Sequence, residues 1–181
     1  MVAVLLPLLL LMPTLVWSGE WPEEFDPYFK KYTKHYFGPN FDWHWFKAQG
    51  IAESGLKPKA RSSVGAKGIM QILPSTYDDI KKLNPHFLTI DEPRWNIAAG
   101  IFYDRYLYMR WTERLPREAR VPTTFASYNA GLGRMNKAYR SAQKKGEVRT
   151  WSELEPHAPG ETRKYVSRIK SLKEEIRSPW D

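Results

Sequence analysis

The chain has 181 residues, 28 Lys and Arg against 20 Asp and Glu, and a formal charge of +8. Hydrophobic residues make up 42% and aromatics 14%, enough for a core, which excludes a disordered charged tail. The absence of cysteine excludes a disulfide scaffold, a thiolate zinc site, an iron–sulfur cluster and a cysteine nucleophile. Such a length suits one compact domain with a short appendage. The positive surplus fits nucleic acid, an anionic membrane or an anionic polymer equally well.

Residues 1–18 carry no charged side chain, and 14 of them are apolar. The apolar run holds Pro7 and Pro13 and is short of the about 20 residues that a spanning helix needs. A signal peptide needs only about 7–15 apolar residues, and Ser18–Gly19 offers a small-residue cleavage point. A cleavable signal, an uncleaved signal-anchor and a buried segment are the three readings; the first two export the chain. Residues 19–40 follow as an aromatic lead-in with Pro22, Pro27 and Pro39, expected to hold one short helix at most.

Asp42 is placed to cap a helix through Trp43, Phe46 and Ile51 that ends near Gly55. Residues 56–68 hold Pro58, Gly65 and Gly68 and read as an ordered loop. Ser75 with Asp78 three positions on predicts a capping-box start for a helix to Leu83. Asp91-Glu92-Pro93 then opens a long apolar helix through Ile97, Ile101, Leu107 and Trp111. Shorter helices are predicted over Thr124–Asn129 and Arg134–Gln143. In the last helix Tyr165, Ile169, Leu172 and Ile176 form one apolar stripe with Lys and Arg opposite. Strand-like alternation is rare, and no repeat or low-complexity tract occurs.

The four histidines, His35, His44, His86 and His157, lack metal-ligand spacing. There is no glycine-rich phosphate loop and no G-x-S-x-G, so the serines lack the context of a hydrolase nucleophile. Neither a metal nor a cofactor is expected. Glu53 stands apart from the other carboxylates. It lies near the C-terminal end of a helix rich in Trp, Phe, Ile and Ala, ahead of a small-residue loop and Gly68-Ile69-Met70-Gln71-Ile72. Apolar neighbours and the helix dipole should both raise its pKa, and an acid still protonated near neutrality can protonate a glycosidic oxygen. The competing reading is an ordinary surface glutamate at a helix end.

Four blocks in order resemble the soluble lytic transglycosylases of bacteria and phages. They are Glu53-Ser54-Gly55 with Ser62 to Pro74; Asp91 to Gly100; Ala126-Ser127-Tyr128-Asn129-Ala130-Gly131; and Glu161-Thr162-Arg163-Lys164-Tyr165-Val166. The resemblance implies a lysozyme-like α+β fold, predominantly α, with a glycan-binding cleft over residues 41–181. It also implies a lyase that cleaves the β-1,4 bond between N-acetylmuramic acid and N-acetylglucosamine in peptidoglycan. One glutamate, matched by Glu53, serves as acid and then as base, and the product keeps a 1,6-anhydro ring. The alternatives are a hydrolytic muramidase and a non-catalytic wall-binding module.

By the same resemblance the substrate-binding residues are Ser62, Met70, Gln71, Tyr128, Asn129, Glu161 and Tyr165. Each has a plainer role open to it. Ser62 can cap a turn, Met70 can serve as core as well as cleft wall, and Asn129 can be a turn residue. Glu161 can serve as an N-terminal helix charge, and Tyr165 can join the apolar stripe. Lys57-Pro58 departs from the family's usual Asn-Pro, a change that touches no acid–base group. Expected partners are peptidoglycan strands, a weakly held anionic envelope or membrane surface, and a secretion or phage assembly, but not nucleic acid. Residues 134–177 hold 12 Lys and Arg against 6 Asp and Glu, which locates most of the positive surplus on the final helices. Exported to the periplasm or envelope, such a surface meets anionic polymers.

Overall fold

A computed structural model describes residues 21–177, so the expectations for residues 1–18 lie outside the described residues. Among the described residues eight α-helices and one 3-10 turn follow one another in the order α1 (Asp26–Phe37), α2 (His44–Ser54), α3 (Pro74–Leu83), α4 (Pro93–Arg110), α5 (Arg117–Ala130), α6 (Leu132–Gln143), α7 (Trp151–Leu154), the 3-10 turn Glu155–His157, and α8 (Gly160–Ile176). The fold is predominantly α. Its β component among the described residues is two isolated antiparallel bridges, Arg61 with Lys67 and Lys67 with Ile72.

Helix α4 is the hub. Residues 95–101 are buried without a break, so the first half of this helix is covered on nearly every side. Helix α1 packs on it from one side and α5 from another, while α8 packs against both α2 and α5. Gly100 lets the core close: a Cβ there would stand 2.7 Å from the Met70 side chain. The core is aromatic-rich, with Phe29, Phe46, Phe87, Phe125 and Trp111 all fully enclosed.

Several boundaries differ from those read in the sequence. The lead-in is a full helix: Pro27 sits in the first turn of α1, where no N–H is needed, and Phe25, Phe29 and Tyr32 are core residues. Helix α3 starts at Pro74 with Leu73 at its N-cap, so Ser75 lies inside the first turn and caps nothing. Asp42 stands one residue outside the N-cap Trp43, yet its Oδ1 accepts from the His44 backbone N–H at 3.0 Å and so serves the same helix end. Helix α5 is more than twice the predicted length, with Pro122 inside it. The capping box is at α7, where Thr150 and Glu153 satisfy each other's backbone N–H groups.

Candidate functional site

Helix α2 ends at Ser54 because Gly55 adopts the left-handed conformation, φ 63°, and returns its N–H to the last turn. That stop leaves Glu53 in the final turn, facing α8 and the loop before α3. Ser54 Oγ donates to the Ile69 carbonyl at 2.9 Å and accepts from Lys57 N at 3.1 Å, which fastens the helix end to the loop.

The loop is held as firmly as a helix. Lys67 and Ile72 exchange both backbone hydrogen bonds, at 2.9 and 3.1 Å, closing the turn 68–71. Asn96, at the start of α4, accepts from Met70 N at 2.8 Å and donates to the carbonyls of Lys67 and Ile90 at 3.0 and 3.1 Å. Gly68 permits that clamp: its φ is 76°, and a Cβ would lie 2.4 Å from the Asn96 side chain. Gln71 holds φ 45°, costly for a residue with a side chain, and its Nε2 donates back to the Gly68 carbonyl at 2.8 Å.

Across this floor stand two tyrosines. Tyr128 of α5 donates to the Met70 carbonyl at 2.8 Å and packs edge-on against Tyr103 of α4, with centroids 5.4 Å apart. Tyr165 of α8 donates to Glu53 Oε1 at 2.5 Å. Burial pushes the Glu53 carboxyl up to about 7, and the Tyr165 hydrogen bond pulls the other way without cancelling it. The two tyrosine hydroxyls are themselves raised well above the usual phenol range, first by burial and further by carboxyl neighbours. Both remain neutral donors. Glu53 can therefore hold a proton below neutral pH and release or accept one close to it.

The residues expected at the site divide into two sets. Glu53, Tyr128, Tyr165 and the Met70 backbone come together. Asn129, next to Tyr128 and exposed, accepts from Thr162 Oγ1 at 2.8 Å, which leaves its amide N–H groups available. Glu161 is exposed one helical turn before Tyr165 and on the same side of α8. Ser62 and Gln71 keep their hydrogen bonds inside the loop: Ser62 Oγ accepts from Ala66 N at 3.0 Å, a turn cap. The Met70 side chain is fully buried, so it belongs to the core and offers no wall to a cleft.

Four participants escaped the sequence reading as site residues: Asn96, Tyr103, Gln49 and Asp104. Gln49 lies one helical turn before Glu53, and its Nε2 donates to Asp104 Oδ1 at 3.3 Å. A cavity of about 350 Å³ between α3 and α4, lined by Ile80, Leu83, Phe102, Tyr103 and Tyr106, opens beside this aromatic wall. Among the described residues no cluster of three His, Asp or Glu could hold a metal ion.

The description "Transglycosylase SLT domain" fits residues 28–150 of this chain. The membrane-bound lytic murein transglycosylase F of Vibrio vulnificus (strain YJ016) is 28% identical over 134 residues, covering 74% of this chain and 23% of the relative. Its namesake from Haemophilus influenzae (strain PittGG) is 29% identical over 149 residues, 81% of this chain and 29% of the relative. Among solved structures, the 70 kDa soluble lytic transglycosylase of Escherichia coli superposes with a TM-score of 0.70 at 27% identity, over 87% of this chain and 24% of that one. The chain thus spans about a quarter of the length of the proteins it matches. With the family's match running from α1 through α6, and the fold agreeing over most of the chain, this protein belongs to the transglycosylase SLT domain family.

Proposed function

We infer that this chain is a peptidoglycan lytic transglycosylase with Glu53 as its acid and base. In the first step the Glu53 carboxylic acid protonates the glycosidic oxygen between N-acetylmuramic acid and N-acetylglucosamine as the bond to C1 breaks. In the second, the Glu53 carboxylate takes the proton of the sugar's own C6 hydroxyl as that oxygen bonds to C1. The net result is a 1,6-anhydro end, with the proton returned to Glu53 and no water consumed. The substrate's N-acetyl group stabilises the cationic centre between the two steps.

One observation carries the reading: a carboxyl pushed up to about 7 by burial, with a phenol as its hydrogen-bond partner and no cation paired with it. A paired-carboxylate hydrolase needs a second acid group within about 5–9.5 Å to activate water or form a covalent intermediate. Asp104, an acid that feels the Glu53 charge, is fully buried and beyond the reach of a water or a sugar. Asn129, Glu161 and Tyr128 are the side chains this reading assigns to the glycan strand, and the Tyr103–Tyr106 cavity lies beside Tyr128. The substrate lies in the cell envelope, which fits an exported chain and the basic face of α6 and α8. Among the described residues no helix is long and apolar enough to cross a membrane. The test is Glu53→Gln in a turbidity assay on purified peptidoglycan. Loss of clearing is expected, and clearing at the parent rate would reject Glu53 as the acid.

A further inference from the structure

Asp104 is an acid in the wrong place for an ordinary surface role. It sits on α4 with none of its surface exposed, among Ile101, Leu107 and the site tyrosines. Its Oδ1 accepts from Gln49 Nε2 at 3.3 Å, whereas its Oδ2 has no partner and neither does Gln49 Oε1. Two buried acceptors left bare in one contact are costly, at a position where neither can reach bulk water. A single proton resolves both. An acid O–H on Asp104 Oδ2 donates, Gln49 Oε1 accepts, and the amide N–H already answers Oδ1.

We propose that Asp104 is held as a neutral carboxylic acid, paired ring-fashion with the Gln49 amide, and that this pair is the positioning element beneath Glu53. Gln49 precedes Glu53 by one turn on α2, so the pair ties α2 to α4 directly under the reacting carboxyl. The proposal rests on Glu53 being the acid of the reaction. The titratable groups facing Asp104 are Glu53 on α2, Tyr103 on its own helix, Tyr128 on α5 and Tyr165 on α8. None is a cation; the Gln49 N–H favours the aspartate anion, and burial outweighs it. Burial, and then the Glu53 charge, hold the Asp104 carboxyl well above the usual carboxylate range. A neutral floor matters chemically. A fixed negative charge there would oppose ionisation of Glu53 and block its return to the base form near neutrality.

The direct test is carbon-13 NMR of the intact chain labelled at aspartate Cγ, with Asp104→Asn used to assign the resonance. An Asp104 signal at the neutral-acid position from about pH 5 to about pH 8 is expected. A signal at the carboxylate position, or one titrating through it below about pH 6, overturns the proposal. This readout needs no substrate, so it stands or falls separately from the enzymatic reading. Kinetics on peptidoglycan test the positioning half. Asp104→Leu should lower kcat about tenfold with KM within about twofold, since the Gln49 amide loses both partners. Asp104→Asn, which restores an amide–amide pair, should recover most of that loss and leave the midpoint of the pH–rate profile in place. A midpoint lowered by a full unit in Asp104→Asn would show that the parent carried a charge there. An unaltered kcat in Asp104→Leu would remove the positioning role.

Discussion

The two ends of helix α2 treat their acids in opposite ways, although the same helix, α8, covers both. At the N-terminal end Asp42 accepts from His44 Nδ1 at 2.7 Å and meets Lys173 Nζ at 3.2 Å, and Lys47 meets Asp26 at 2.7 Å with both side chains largely buried. Burial raises the Asp42 pKa, but the His44 and Lys173 hydrogen bonds outweigh it, and the carboxyl ends below its ordinary value. At the C-terminal end Glu53 has one phenol, no cation and the unfavourable pole of the helix dipole, and it ends near 7. Charges are paired where the helix is anchored and left unpaired at the end proposed to react. An acid that must exchange a proton near neutrality cannot be given a lysine.

Glu53→Gln should break the reactive end most severely. Losing a general acid that is also the base should lower turnover by about 10³-fold or more, measured as soluble muropeptide released per unit time. A second effect of the same change concerns stability. The folded pKa of about 7 lies above the ordinary 4.5, so the associated stability is fully present below pH 4.5 and lost as pH rises through 7. Between about pH 4 and about pH 8 the parent should lose about 3 kcal/mol relative to Glu53→Gln, readable from denaturant titrations at each pH. Asp42 has the reverse sign. Its contribution is present above pH 3.8 and is lost as pH falls through its lower folded value.

Lys173→Met sharpens the contrast at the anchored end. It removes a buried partner of Asp42 and should cost about 2 kcal/mol of unfolding free energy. Turnover per folded molecule should stay at the parent level, which separates anchoring from chemistry. The smallest effect expected is that of Tyr165→Phe. The phenol hydrogen bond favours the Glu53 carboxylate, so its loss should raise the Glu53 pKa and move the alkaline limb of the pH–rate profile upward. A fall in kcat of about tenfold should accompany it. A downward move would mean that Tyr165 does not donate to Glu53.

Much of this arrangement was legible in the sequence. The stripe Tyr165, Ile169, Leu172 and Ile176 predicted α8, and the apolar run before Gly55 predicted both α2 and a perturbed Glu53. What stayed hidden had physical causes. Pro27 reads as a helix breaker but occupies a first turn, where it breaks nothing, so the sequence points to a lead-in where α1 stands. Pro122 lies inside α5, ahead of the start predicted at Thr124. Asp104 lies inside the long apolar run of α4, and no pattern in the sequence pairs it with Gln49. Only the packing of α1, α3 and α5 around α4 shows that its buried surface reaches Asp104. Met70 illustrates the limit of carrying a role by resemblance, since its side chain is enclosed and its backbone serves the site.

The central claim is that one carboxyl performs both proton transfers and that the sugar's own hydroxyl, rather than water, completes the reaction. Mass spectrometry of muropeptides released from purified peptidoglycan in oxygen-18 water tests this directly. The account predicts 1,6-anhydro ends lacking solvent oxygen. Reducing ends carrying oxygen-18 would contradict it and identify a hydrolytic muramidase.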